Sequence, residues 1–489
     1  MSRLLFCDRA AAGVRNGSHP RASARTPRSA GATPRLRRSA LCAFGVPGAW
    51  WFGRASNSTG AADIRRSRVA GVGSPLGRRA RPRAACGVCP GGGKGRGPLV
   101  AGQPDRRSPT VMPLPVDSAA MNAATPRRLV ILTEGQWHVH NAKTAMGVIR
   151  YGPDHVVALL DSTIAGRSVA EWMPGHDIPI VASIGRALVL PERPDTLLIG
   201  IAPTGGKLPP AWRATILEAI RAGLNVHSGL HTFLGDDPEL AAAAAAAGVE
   251  LVDYRRAPER METAVGRRHK PGSRVILTVG TDCAIGKMSV ALELRRSALA
   301  AGDAAVFVPT GQTGMMIDGW GVAVDRVISD FVQGTVEWML EEGETRGDWL
   351  IVEGQGSLDH PAYSSVTLGL IHGATPHAMV MVHKPGMAEH DFDHLPDASF
   401  PIARLPDFIR LHESVAGLVA PSKVVGIALN TSLYPDAAET RRIVEQIEAE
   451  TGLPTADPVR FGADRLWREI RAAVEDLPWV RENDARAAG

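Results

Sequence analysis

Cysteine is nearly missing from most of this chain. Of five cysteines in 489 residues, Cys7, Cys42, Cys86 and Cys89 lie within the first 90 positions, which leaves Cys283 alone in the rest. A single thiol closes no disulfide, so residues 127 onward must hold together through their own apolar core. A reducing, cytoplasmic setting is expected. Cys86 and Cys89 form a CxxC, but no second pair and no His pair follow at zinc-finger distance, and the pair is not read as a metal site. No run of 18 apolar residues occurs, so no membrane partner is expected. Repeats of solenoid period are missing, and so is a GxGxxG, which argues against dinucleotide binding in the usual manner.

Acidic residues are scarce in one part only. Residues 1–120 hold 21 of the 55 Lys and Arg but 4 of the 50 Asp and Glu, so the net +5 of the chain hides a net −12 in the remainder. This leader is Arg, Ala, Gly, Pro and Ser without a helical or strand period, and it cannot bury enough apolar surface to offset its ordering entropy. It is expected to be a disordered leader. A start site upstream of a true Met112 or Met121 is its simplest origin, with a targeting peptide and an Arg-rich nucleic-acid tail as alternatives. No nucleic-acid partner is expected for the acidic remainder.

From residue 127 short apolar runs alternate with helical stretches, the rhythm of βαβ units and parallel sheets. Strands are predicted over 129–132, 156–160, 196–201 and 224–227, with helices over 209–222 and 238–247, giving a Rossmann-like domain over 127–262. Residues 267–273, Arg-Arg-His-Lys-Pro-Gly-Ser, are basic and rich in breakers and read as a linker. A second α/β domain is predicted over 274–480, with strands at 274–279, 305–309, 349–352, 378–383 and 424–429. The fold class is therefore α/β, a Rossmann-like parallel sheet followed by a P-loop domain.

The second domain opens with the strongest motif. Strand 274–279 runs into Gly280-Thr-Asp-Cys-Ala-Ile-Gly286-Lys287-Met288-Ser289 and then into a helix over 290–300. Glycines let backbone N–H groups turn toward a phosphate, a helix start adds its positive end, and a lysine supplies a mobile cation. Gly280, Thr281, Cys283, Gly286, Lys287, Met288 and Ser289 are accordingly candidate cofactor-binding residues. Two features depart from the usual P-loop: five residues, not four, separate Gly280 from Gly286, and Met288 stands where a hydroxyl normally holds Mg²⁺. ATP hydrolysis is thereby disfavoured, and no metal is assigned.

Other candidates fall at strand ends, where open α/β sheets place their ligands. Residues 349–357, Trp-Leu-Ile-Val-Glu-Gly-Gln-Gly-Ser, end an apolar strand in an acid, as a Walker-B strand does, and put Glu353 in the site. The loop 309–314 adds Gln312 to the cofactor set, and Asn430 is either a base contact or a turn residue. His383, His390 and His394 with Asp391 and Asp393 carry a weak metal signal, explained as well by a polar loop lining a cleft. In the first domain His138, His140, Asn141, Lys143 and Arg150 follow the first strand. Asn141, Lys143 and Arg150 are read as contacts to an anionic substrate.

Taken together, GTDCAIGKMS, NAKTAMGVIRY, ALLDSTIAG, IGIAPTGGKLPPAW, GLHTFLGDDPEL and VEGQGSLDHPAYSSVTLGLIHG resemble a two-domain P-loop family that includes the DgcN-type D-glutamate N-acetyltransferases. The GTDxxxGK loop and the VEGxGG-like segment are also similar to dethiobiotin synthetase. The resemblance covers about 127–480. It implies acetyl-CoA as acyl donor and an N-acetylated D-glutamate or related acidic amino acid as product, in D-amino-acid catabolism. Acetyl transfer needs a base, and Glu353, Asp282 and His360 are the candidates, with Lys143 and Arg150 as carboxylate clamps. An ATP- and Mg²⁺-dependent ligase or kinase of the dethiobiotin synthetase type is the alternative, and a non-catalytic nucleotide-binding regulator the third reading. Small-molecule substrates are the expected partners, and a homo-oligomer stays open.

Overall fold

The computed structural model describes residues 126–485 apart from 139–140, 202–205 and 392–398. The basic leader, Cys86 and Cys89, His140, part of the 202–207 loop, Asp393 and His394 lie outside the described residues.

The first half is one parallel sheet. Its elements are β1 (Arg128–Leu132), α1 (Lys143–Tyr151), β2 (His155–Leu160), β3 (Ile180–Val181), α2 (Ile184–Leu188), β4 (Thr196–Ile199), α3 (Arg213–Arg221), β5 (Asn225–Ser228), α4 (Pro238–Ala247) and β6 (Leu251–Asp253). The strands lie in the order β3-β2-β1-β4-β5-β6, the doubly wound Rossmann order. The central strands are apolar on both faces because helices cover both: Leu129, Val130, Ile131 and Leu132 are all buried. Local chemistry sets the helix ends. Asp237 accepts from the N–H groups of Glu239 and Leu240, Pro238 takes the first position, and Gly248 closes α4 in the left-handed region.

The second half repeats the plan around the P-loop strand. It comprises β7 (Arg274–Gly280), α5 (Lys287–Ala300), β8 (Ala305–Val308), α6 (Gln312–Asp318), α7 (Val332–Gly343), β9 (Trp349–Val352), α8 (Ser364–Ala374), β10 (Ala378–His383), α9 (Leu405–Ala416), β11 (Lys423–Leu429), α10 (Ala437–Thr451), β12 (Thr455–Ala456), α11 (Pro458–Phe461), α12 (Asp464–Asp476) and α13 (Pro478–Ala485). The order β12-β11-β10-β7-β9-β8 puts β7 between β9 and β10. The loops that leave β7, β9 and β10 therefore open side by side at one sheet edge, where ligands of such sheets bind. Among the described residues, no helix is long and apolar enough to cross a membrane.

The two halves meet along α1. Thr144 Oγ1 lies 2.9 Å from Thr313 Oγ1, and Tyr151 donates to Glu293 at 3.0 Å. Between them Gly147 is a close-approach position: a Cβ there would stand 2.9 Å from Thr313 Cγ2 and 3.0 Å from Met288 Cε. A side chain at 147 would push α1 off the P-loop helix.

Residues 267–273 are not a loose linker. The carboxylate of Glu337 on α7 accepts from the backbone N–H groups of Val265, Gly266 and Arg267 at 2.9, 2.8 and 3.1 Å. Glu344, one helical stretch on, pairs with Arg267 and accepts from Lys270 N at 3.0 Å. Burial opposes its ionisation, yet hydrogen bonds from His269 and Arg267 hold its pKa at about 2. The basic residues thus pin the crossover to the second half. Glu337→Ala leaves three N–H groups without their acceptor, and a loss of about 1–3 kcal/mol is expected for such orphaned donors. A thermal melt checks it: a fall of several degrees supports the strap, and an unchanged midpoint contradicts it.

Candidate functional site

The P-loop is a shaped turn held by residues at the ends of β10 and β11. After β7, Thr281 N donates to Val382 O at 3.1 Å and Thr281 Oγ1 meets His383 Nδ1 at 3.0 Å. Asn430, at the end of β11, donates to Ile285 O at 2.9 Å. Ala284 and Gly286 take positive φ angles of 53° and 111°, and a non-glycine in that region is the kind of local strain found at ligand clamps. Gly280 is needed for contact, since a Cβ there would stand 3.0 Å from Ile285 Cδ1. The start of α5 has Gly286 as its cap, no side-chain cap and no acid in its first turn, so its N–H groups suit an anion.

Lys287 is buried, and its Nζ donates to Asp282 O at 2.6 Å. Desolvation pushes its pKa down, against the pull of Cys283 and Asp282. The lysine thus folds back onto the P-loop's own backbone. Burial likewise pushes the Cys283 thiol up to about 11, so Cys283 is a lining residue and not a thiolate nucleophile. Met288 packs against the apolar core beside Gly147, which gives its side chain a packing role. Ser289 is half-buried in the first turn of α5.

Glu353 leaves the end of β9 into the same edge. Its Oε2 accepts from Thr310 N at 2.9 Å and Gly311 N at 3.0 Å, while Thr310 Oγ1 donates to Glu353 O at 2.8 Å. Gly314 backs the carboxylate: a Cβ there would lie 2.5 Å from Oε2. Burial raises the Glu353 pKa to about 7 despite the two N–H donors and the nearby Arg255 and Lys287 cations. A carboxyl group at that value exchanges a proton near neutrality, which is what a general base needs.

The other two base candidates fit less well. Asp282 is fully enclosed: Oδ1 accepts from Cys283 N at 2.7 Å and meets His390 Nδ1 at 2.9 Å, and Oδ2 accepts from Asp391 N at 3.1 Å. His360 Nδ1 accepts from Ala362 N at 3.1 Å, so the neutral ring carries its proton on Nε2, 4.0 Å from Asp282 Oδ1. Burial lowers its pKa and keeps it neutral, which makes it a donor. Asp282, His360 and His390 thereby bring three ligand-type side chains within 4.8 Å of one another, where the sequence reading placed no metal. His383, bonded to Thr281, stands outside that group.

The first half contributes less than expected from the residues named in its sequence. Lys143, at the start of α1, is close enough to raise the local positive potential at Cys283 and Lys287. Arg150 is exposed in the last turn of α1, about 10 Å further along the axis at 1.5 Å per residue. The structure does not bring it to the P-loop. Asn141 donates to Gln136 Oε1 at 2.6 Å. The residue the sequence reading missed is Arg255, after β6: it reaches Gly229 O at 2.7 Å, Gln312 Oε1 at 2.7 Å and the Asp325 carboxylate. Burial lowers its pKa to about 10, and its charge acts on Glu353, favouring the ionised carboxylate. Gln312 is thus a bridge between the halves. A cavity of about 660 Å³ lies elsewhere, between α10 and α12, lined by Arg441, Phe461 and Arg465.

With Lys287 removed the cradle loses its cation. Lys287→Ala is expected to weaken binding of inorganic pyrophosphate by about 1.5–3 kcal/mol, the scale of a lost charged hydrogen bond. Calorimetric titration showing equal affinity in both proteins would take the P-loop out of phosphate binding.

Comparison with known proteins bears on the same residues. A family model described as a domain of unknown function (DUF1611_C), P-loop domain, matches residues 262–467, and a second, DUF1611_N, Rossmann-like domain, matches 162–257. A protein of Tritonibacter scottomollicae named D-glutamate N-acetyltransferase is 34% identical over 334 residues, 66% of this chain and 92% of that one. A protein of the same name from Pseudoalteromonas sp is 38% identical over 55% of this chain and 80% of its own length. The crystal structure of a DUF1611 family protein from Anabaena variabilis is 39% identical, covers 71% of this chain and 99% of its own, and superposes with a TM-score of 0.66. With both halves matched and most of each relative covered, this chain belongs to the DUF1611 family.

Proposed function

We propose that this chain is an N-acetyltransferase that moves an acetyl group from acetyl-CoA to the amino group of D-glutamate, in the catabolism of D-amino acids. The observation that carries the reading is the 34% identity to a D-glutamate N-acetyltransferase over 92% of that protein's length. The site chemistry supports it. CoA bears a pyrophosphate and a 3′-phosphate, and an uncapped helix start with Lys287 can neutralise such groups without a metal-binding hydroxyl. Met288, turned into the core, is no defect for that task, whereas an ATP- and Mg²⁺-dependent ligase would miss the hydroxyl.

In this reading Glu353 takes a proton from the acceptor's ammonium group. The freed amine nitrogen attacks the thioester carbonyl carbon, a C–N bond forms, and the C–S bond breaks. The sulfur leaves with its electron pair and takes up a proton to give free CoA thiol. Lys143 and Arg255 supply positive charge on the first-half side of the cleft for the acceptor's carboxylates. The chain would do this in the cytoplasm, on small molecules alone.

Two measurements test the reading. Incubating the full chain with acetyl-CoA and a panel of D- and L-amino acids, without ATP, should release thiol fastest with D-glutamate. ADP formation from ATP and Mg²⁺ with no thiol release would overturn it. The second uses pH. The deprotonated form of Glu353 is the active one, so kcat/KM should rise with pH through a limb near its pKa of about 7. Glu353→Gln should abolish that limb and lower the rate by about 10²–10⁴-fold, the usual span for a general base. A variant that keeps the limb would remove Glu353 from proton transfer.

A further inference from the structure

We propose that Asp282, Asp359, His360 and His390 form a binding site for a divalent transition-metal ion beside the P-loop, with His390 as its central ligand. This site does not depend on the acetyltransferase reading. Its central ligand lies in a segment, 384–391, outside both the phosphate cradle and the Glu353 loop, while Asp282 comes from the P-loop and Asp359 and His360 from the loop after β9.

The argument begins with His390, whose side chain is fully buried between two carboxylates. Nδ1 lies 2.9 Å from Asp282 Oδ1 in hydrogen-bonding geometry, and Nε2 lies 3.1 Å from Asp359 Oδ1. The second contact is not aligned as a hydrogen bond, and Nε2 is buried without a hydrogen-bond partner. A neutral imidazole has one N–H. If Nδ1 gives it to Asp282, two electron-rich atoms, Nε2 and a carboxylate oxygen, face each other at close range out of water. That arrangement calls for a cation between them. A second proton would be shared along an aligned N–H···O line, which is not found. An ion about 2.0–2.2 Å from each ligand spans pairs of roughly 3 Å, and the 3.1 Å separation fits it.

The surroundings have the composition of a metal site. Asp282, His360 and His390 are all buried and offer ligand atoms within 4.8 Å of one another. Whichever nitrogen of His390 ligates, the other has a carboxylate against it, the outer-shell partner that fixes the tautomer of metal-bound histidines. Asp359 is itself oriented, since Ser357 Oγ donates to its Oδ1 at 2.8 Å. Two imidazoles with carboxylate oxygens suit zinc and its neighbours better than Mg²⁺ or Ca²⁺, which take oxygen ligands. His360 is the member that must adjust: for Nε2 to bind an ion, its proton moves to Nδ1 and the 3.1 Å bond from Ala362 N has to open, a single neutral hydrogen bond that a metal–nitrogen bond outweighs.

The experiment needs neither acetyl-CoA nor an acceptor, so its failure and that of the acetyltransferase reading are distinguishable. The full chain is stripped with a chelator, dialysed and titrated with CoCl₂, following the visible absorption of bound Co²⁺; zinc content after ZnCl₂ is measured in parallel. About one equivalent per chain is expected, as for a single built site. His390→Ala should lose the Co²⁺ spectrum. Asp359→Asn, which replaces the carboxylate facing His390 Nε2 by an amide at a half-buried position, should weaken Co²⁺ by about 100-fold or more, beyond the range for outer-shell partners, with circular dichroism confirming that the variant is folded. A folded parent chain that shows no Co²⁺ absorption, or an Asp359→Asn variant that binds Co²⁺ as tightly as the parent, overturns the site.

Discussion

A carboxyl group kept from water between two strand ends organises this site. Glu353 could not stay buried if its oxygens met only apolar neighbours, because desolvating a carboxylate costs several kcal/mol. The chain meets that cost in two ways. The loop after β8 turns so that Thr310 and Gly311 both aim their N–H groups at Oε2, and the nearby charges of Arg255 and Lys287 favour the ionised form. Burial outweighs these partners, and the net upward shift leaves a group poised near pH 7. Several glycines follow from the same constraint. Gly314 has no room for a Cβ against Oε2, and at Gly354 a Cβ would meet Thr278 O at 1.6 Å.

The pairing of the halves follows as well. Arg255 comes from the first sheet and ends beside Glu353, held by Gln312 and Asp325 of the second half. Lys143 begins the helix whose middle, at Gly147, lies against Met288 and Thr313. The first sheet therefore supplies charge to a site whose loops belong to the second. This explains why a Rossmann-order sheet without a glycine fingerprint can still serve the chemistry: it presents cations to a neighbour and need not cradle a dinucleotide itself.

Much of this was legible in the sequence where the signal is local. Apolar runs such as 129–132 and 349–352 became buried central strands because covered parallel strands are apolar on both faces, and the P-loop order of strand, glycines, lysine and helix is contiguous. Signals failed where partners are distant or elements short. The strands β3, β6 and β12 have two or three residues and no period to read. Residues 267–273 have the composition of a linker, but their acceptors, Glu337 and Glu344, lie about 70 positions on. His390 groups with His383 and His394 nearby in sequence; it meets Asp282, 108 residues away, and Asp359, through the adjacency of β10 with β7 and the loop after β9. Arg150 groups with Lys143 because both follow the first strand, yet the two lie on one helix, α1, and seven residues of it carry Arg150 away from the P-loop.

The central claim is that Glu353 titrates near neutrality in the resting protein, and it can be measured without any turnover. Carbon-13 labelling of the glutamate carboxyl groups, with Glu353→Gln as the subtraction, isolates that one resonance for a pH titration. The account predicts a midpoint near 7. A midpoint at the ordinary glutamate value of about 4.3 would contradict it, because a carboxylate solvated well enough to titrate there is not the buried, poised group on which the site depends.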